Sequence, residues 1–143
     1  NLLRPDSPGE KLACRFWLHY AEGSLMPLLL MKLVFTSLGK KPVPWALRPI
    51  GKALGQGVQK AYLNKQLVTH ADYIENHLAQ STWFAGESFS IADIQMSYPV
   101  MALLARGGMR DLEHTNAWYQ RIQQRPAFER AIAQGGPFDI PGG

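Results

Sequence analysis

Residues 84–95 read FAGESFSIADIQ and run a short glycine turn straight into the start of an apolar helix. Ser90 has the chemistry of an N-cap, and Asp93, three residues on, is spaced to reach back to the amide of Ser90. Phe89 precedes the cap and Ile94 is the fourth helical residue, the spacing of a hydrophobic staple. Cap, reciprocal carboxyl and staple all specify one entry angle. Losing a cap of this kind costs about 0.5–2 kcal/mol. The joint therefore fixes where a helix begins before anything else in the chain is considered.

The same punctuation recurs elsewhere. Ser7-Pro8-Gly9-Glu10 predicts a first helix from about 8 to 37, with Ser7 as cap, Pro8 at the first helical position and Glu10 reaching back. On it Ala13, Trp17, Tyr20, Ala21, Ser24, Leu25 and Leu28 share one face, and Leu12, Phe16, His19, Gly23 and Met26 another. Two such faces place the helix between two packing partners. Pro27 removes the amide that would pair with the Gly23 carbonyl, which predicts a kink there. GKKPVPWALRP, at 39–49, reads as a loop with a helical turn around 45–48.

A second helical stretch runs to about 79. Ile50, Leu54, Val58, Ala61, Tyr62, Leu67, Ala71, Ile74 and Leu78 keep its period, and a break is expected near Asn64. The third helix begins after Ser90 and runs to about Ala105, bent at Pro99 and stopped by Arg106-Gly107-Gly108. A fourth covers about 114–124 with Ala117, Trp118 and Ile122 inward. Pro126 opens a short fifth, which Gly135-Gly136 ends. Few stretches favour strands, and no internal repeat is present. The expectation is an all-α bundle forming a single helical domain over 1–143, with a tail at 135–143.

The chain has 143 residues, 46 % of them apolar, enough for one core and too many for a disordered chain. A net charge of +4 comes from scattered cations with no block of five, so a nucleic-acid arm is not supported and a solvated surface is expected. Cys14 is the single cysteine, which excludes an intramolecular disulfide or a cysteine metal cluster. It reads as a small buried hydrophobe in a reducing, cytoplasmic setting. LMPLLLM, at 25–31, is broken by Pro27, is followed by Lys32 and is far too short to span a membrane. No signal peptide is visible. His70 and His77 lie seven apart and read as solvated positions rather than metal ligands. The chain starts at Asn1 without methionine, so a longer parent is expected.

Three segments together resemble the C-terminal domain of glutathione transferases. WFAGESFSIADIQMSYPV carries the glycine turn and capping box at Phe84, Ala85, Gly86, Phe89, Ser90, Ile91, Ala92 and Asp93. WLHYAEGSLMPLLL resembles the first helix of that domain in bacterial and fungal members, and WYQRIQQRPAFERA its last helices. The resemblance implies a five- to six-helix bundle of the glutathione S-transferase C-terminal domain type, with the N-terminal thioredoxin-like domain absent. Ser90 and Asp93 are then structural, with no catalytic residue and no metal ligand in this chain.

By position in the motif, His19, Tyr20, Gly23, Ser24 and Met26 match substrate-binding residues that line the cleft or reach glutathione across the dimer. A thioether and aromatic rings suit an apolar electrophile, and hydroxyls and an imidazole would orient it. Tyr20 and Ser24 read rather as core, while for His19 and Met26 the core and cleft readings stand level. The parent would conjugate glutathione, as co-substrate and with no further cofactor, to small hydrophobic electrophiles. It would be a cytoplasmic homodimer with no nucleic-acid or membrane partner, and this piece alone would be inactive. Two other readings stand beside it: a non-catalytic transferase-like protein–protein assembly module, and a free-standing helical ligand-binding bundle.

Overall fold

The computed structural model describes residues 3–105 and 112–136. Five helices follow one another: α1 over 8–37, α2 over 48–78, α3 Ile91–Ala105, α4 Glu113–Gln123 and α5 Pro126–Gly135. The all-α bundle is as expected. The stop at Arg106-Gly107-Gly108 and most of the tail lie outside the described residues.

Ser7 caps α1, its hydroxyl accepting from the Glu10 amide at 3.2 Å with Pro8 in the first turn. The Glu10 carboxylate returns to the Ser7 hydroxyl, at 2.8 Å, rather than to its amide. Pro27 leads to something other than a simple kink. Ala21–Leu25 is a π-helical segment between α-helical Pro8–Tyr20 and Met26–Ser37, and the Met26 amide donates to the Ala21 carbonyl five residues back. The wider turn sits over the position where the proline removes a donor.

α2 has the same construction. It starts at Arg48, after a 3₁₀ turn at Trp45–Leu47, and Gln59–Leu63 is its π-helical segment. That segment is the break expected near Asn64. It rephases the helix. Leu63, Leu67, Ala71, Ile74 and Leu78 are buried from there on, whereas Ile50, Leu54 and Tyr62, expected on the same face, stand 51–61 % exposed and Ala61 faces solvent as well.

α1 and α2 form an antiparallel hairpin. Its outer half closes on Gly51 and Gly55: a Cβ at Gly55 would lie 2.2 Å from the Phe35 carbonyl oxygen, and one at Gly51 2.3 Å from that of Leu38. α3 packs against α1 on the inner half, and α4 packs against both α2 and α3. Trp17, Leu25, Leu63, Ile74, Phe84, Met96, Leu103 and Trp118 are among the buried side chains at the centre. Cys14 is buried with them, as expected.

The joint before α3 is tighter than its local spacing requires. Trp83 and Gly86 exchange both backbone bonds, at 2.9 and 3.1 Å. Gly86 has φ +139°, a conformation that side-chain-bearing residues rarely adopt, and a Cβ there would meet Glu10 at 2.8 Å. The first-turn amides of α3 are all satisfied: Ile91 donates to the Leu3 carbonyl, Ala92 to the Ser90 hydroxyl and Asp93 to the Ser90 carbonyl. The cap hydroxyl thus serves Ala92 rather than Asp93. The Asp93 side chain returns to the Ser90 amide at 2.9 Å, as the capping box requires.

Two further expectations are corrected. Ala117 faces solvent while Trp118 and Ile122 are buried, because α4 presents only one stripe to the bundle. His70 and His77 are half-buried rather than solvated, because their face of α2 packs on the α1 rings. His77 lies 4.6 Å from the Trp17 ring centroid and stacks on Phe84, and its Nε2 meets the Phe84 carbonyl at 3.0 Å.

Candidate functional site

The five residues proposed for substrate binding lie on and beside the π-helical segment of α1. Seven residues of ideal α-helix would return His19 and Met26 to one face. The π turn shifts that phase. His19 and Gly23 remain exposed, Ser24 is half-buried, and Met26 is turned partly inward against the core. Nothing lies within 4 Å of where a Cβ at Gly23 would sit, so this part of the helix surface is open.

Tyr20 points the other way. Its ring is buried among Phe16, Trp17 and Tyr73, with centroids 5.0–5.7 Å away, and its hydroxyl hydrogen-bonds His70 Nδ1 across the hairpin. Burial, with Tyr73 beside it, holds the Tyr20 phenol well above its usual range. Burial lowers the His70 imidazole. Both groups are therefore neutral near pH 7. Tyr20 is built to hold α1 against α2, and its hydroxyl is occupied by a partner fifty residues away.

Glu22, also on the π segment, accepts a hydrogen bond from the Gln95 side chain of α3. That bond joins the exposed faces of two helices. On α3, Ile91, Ile94 and Tyr98 are 38–47 % exposed on the Gln95 side, and on α1 Leu12 is 71 % exposed. The result is a partly apolar surface on two neighbouring helices, with His19 and Gly23 exposed on the α1 side and a polar bridge between the helices. Beyond Ile94 it continues into a depression of about 350 Å³ floored by Phe89, Ile122 and Phe128. Arg125 rims the depression with its guanidinium 3.5 Å above the Phe89 ring.

Sequence reasoning missed Glu22, Gln95 and His70. No local spacing links residues 73 or 50 positions apart. Asp93 has no free oxygen for chemistry: Oδ2 accepts from the Ser90 amide and hydroxyl, and Oδ1 from the Phe84 amide and the Trp118 indole. Among the described residues no three His, Cys, Asp or Glu side chains converge to hold a metal ion.

A two-helix hairpin, a central helix with a buried capping box and an open, partly apolar side across α1 and α3 define a helical bundle domain. A family model for the C-terminal domain of glutathione S-transferases matches residues 26–126, and the chain belongs to that family. It is 34 % identical over 112 residues to glutathione S-transferase 3 of Schizosaccharomyces pombe, covering 78 % of this chain and 46 % of that protein. It is 28 % identical over 126 residues to the disulfide-bond oxidoreductase YfcG of Escherichia coli, covering 86 % and 52 %. A glutathione S-transferase structure from Actinobacillus pleuropneumoniae shares the fold with a TM-score of 0.73 at 21 % identity, covering 100 % of this chain and 60 % of that one. The chain spans about half the length of the curated relatives it matches. His19, Tyr20, Gly23 and Ser24 precede the matched range.

Proposed function

We propose that this chain is the C-terminal half of a glutathione transferase that conjugates glutathione to small hydrophobic electrophiles. The observation that carries the reading is the open side of a domain of this family: Leu12, Ile91, Ile94 and Tyr98 exposed, with His19 and Gly23 exposed on the α1 side. An upstream thioredoxin-like half would cover that side, bind glutathione and supply the group that stabilises its thiolate. His19 would orient the electrophile, and the half-buried Met26, packed partly against the core, would offer its remaining exposed thioether as an adaptable apolar wall. Ser24 is half-buried on the same π segment, and Gly23 keeps the approach clear. The parent works in a reducing, cytoplasmic setting as a homodimer. The isolated 143-residue chain is inactive, because the thiolate has no stabilising group here.

The site assignment is tested in the complete polypeptide. His19→Ala and Met26→Ala should each lower kcat/KM for an aromatic electrophile about tenfold, the scale of one lost side-chain contact, with KM for glutathione unchanged. Two variants indistinguishable from the parent would remove these residues from the site and leave the transferase assignment standing.

A further inference from the structure

From residue 23 to residue 71 the chain carries seven cations (Lys32, Lys40, Lys41, Arg48, Lys52, Lys60 and Lys65) and no acidic residue, so all eleven acids lie outside this stretch. Counting runs of like charge hides the pattern, because the cations are spaced. What marks the stretch is the missing counter-charge. In the fold it is the outer part of the α1–α2 hairpin.

The same end is unusually apolar for a surface. Trp45 is 81 % exposed at the tip and Leu47 54 %. Gly51 and Gly55 turn towards α1, so the opposite face of α2 looks outward. Pro49, Ile50, Ala53, Leu54 and Gly57 line it, with no charged group among them. Beside it, Lys40 and Lys52 share a pocket with Gln56 and Gln59. Exposed apolar residues beside Lys40, Lys41 and Lys52, in a stretch of sequence without acids, form the pattern of an interfacial helix on an anionic leaflet.

We propose that the tip of this hairpin docks on an anionic lipid surface. Trp45, Ile50 and Leu54 enter the interfacial zone, and Lys40, Lys41 and Lys52 face the headgroups. A second copy of the chain fits less well, because a two-fold contact would set one cationic tip against another. Nucleic acid fits less well too: its phosphates would meet the lysines, but its charged backbone gives the exposed Trp45, Ile50 and Leu54 no apolar partner. No described helix is long and apolar enough to cross a membrane, so the association is with the surface. This departs from the expectation of no membrane partner, which rested on the lack of a span, and it is independent of the transferase reading.

The test uses the complete polypeptide with vesicles of phosphatidylcholine, with and without one-third phosphatidylserine. Trp17, Trp83 and Trp118 of this chain are buried, and the Trp45 signal is isolated as the difference in acrylamide quenching between the parent and Trp45→Ser. Co-sedimentation with the anionic vesicles only, with Trp45 protected from acrylamide, is expected. Lys40→Gln and Lys52→Gln should each weaken binding roughly fivefold, and added salt should weaken it further. Trp45→Ser should abolish protection without moving the urea unfolding midpoint, since this ring packs on little. Three results would overturn the proposal: no sedimentation with anionic vesicles, equal binding to both vesicle types, or Trp45 protection that rises with protein concentration in the absence of lipid.

Discussion

The Trp118 indole N–H donates to Asp93 Oδ1 at 3.0 Å inside the core, and the same oxygen accepts from the Phe84 amide at 2.9 Å. One carboxyl group thus ties the glycine turn, the start of α3 and the middle of α4 together. Asp93→Asn keeps the shape but turns an N–H₂ towards one pair of donors. It should cost roughly 2–4 kcal/mol, since buried amides lose their acceptor. Trp118→Phe should cost about 1–3 kcal/mol. Urea unfolding of the double variant should show a smaller loss than the sum, because both changes break one bond. Additivity within about 0.5 kcal/mol would show that the two residues are not coupled.

Gly55→Ala and Gly57→Ala form a matched pair. At Gly55 the new methyl would meet a backbone carbonyl at 2.2 Å, and backbone cannot swing aside as a side chain can. The hairpin must open, at a cost of about 1–3 kcal/mol. At Gly57 nothing lies within 4 Å, and the helix should gain about 0.5–1 kcal/mol. Equal shifts in the two thermal midpoints would mean that the close approach is not what the sequence specifies.

Burial lowers the His77 imidazole from its ordinary 6.5, against smaller upward pulls from the Phe84 carbonyl and Asp93. His70 is lowered by burial as well. The unfolded chain therefore takes up protons before the folded one does. Stability is fully present above about pH 6.5 and is lost as pH falls through the folded values. A urea midpoint level near neutrality and declining below about pH 6.5 is expected. His77→Gln, which keeps a donor for Phe84, should flatten that decline. An unchanged slope in this variant would assign the acid sensitivity to other groups.

Glu75 of α2 caps α4 from across the bundle. Its carboxylate accepts from the His114 amide at 2.7 Å, the Thr115 amide at 2.9 Å and the Thr115 hydroxyl at 2.6 Å. Partial burial alone would raise its pKa, but these bonds together, with His114 nearby, bring it below the ordinary 4.5. Its contribution is complete above that value and disappears as pH falls further. Glu75→Ala should cost about 1–2 kcal/mol near pH 7, with a smaller difference from the parent in strong acid. A difference independent of pH would contradict the cap.

The α3 joint was legible because everything that makes it lies within a few residues: Phe89, Ser90, Asp93 and Ile94. Helix starts at Ser7-Pro8 and Pro126 were legible for the same reason. What escaped was non-local or depended on phase. Asp93–Trp118, Glu75–Thr115 and Tyr20–His70 span 25, 40 and 50 residues and leave no spacing to read. Two π-helical segments, Ala21–Leu25 and Gln59–Leu63, each shift the register of the helix that follows. For that reason Met26 left the His19 face, and Ile50 and Leu54 do not share the buried side of Leu67 and Ile74.

The central claim is that this chain is the C-terminal half of a transferase and needs an upstream half to act. A conjugation assay with glutathione and a generic aromatic electrophile tests it most directly, run on the complete polypeptide and on the 143-residue chain side by side. Activity in the complete polypeptide alone is the expected result. Conjugation by the 143-residue chain would contradict the claim, and a folded but inactive complete polypeptide would replace it with the assembly-module reading.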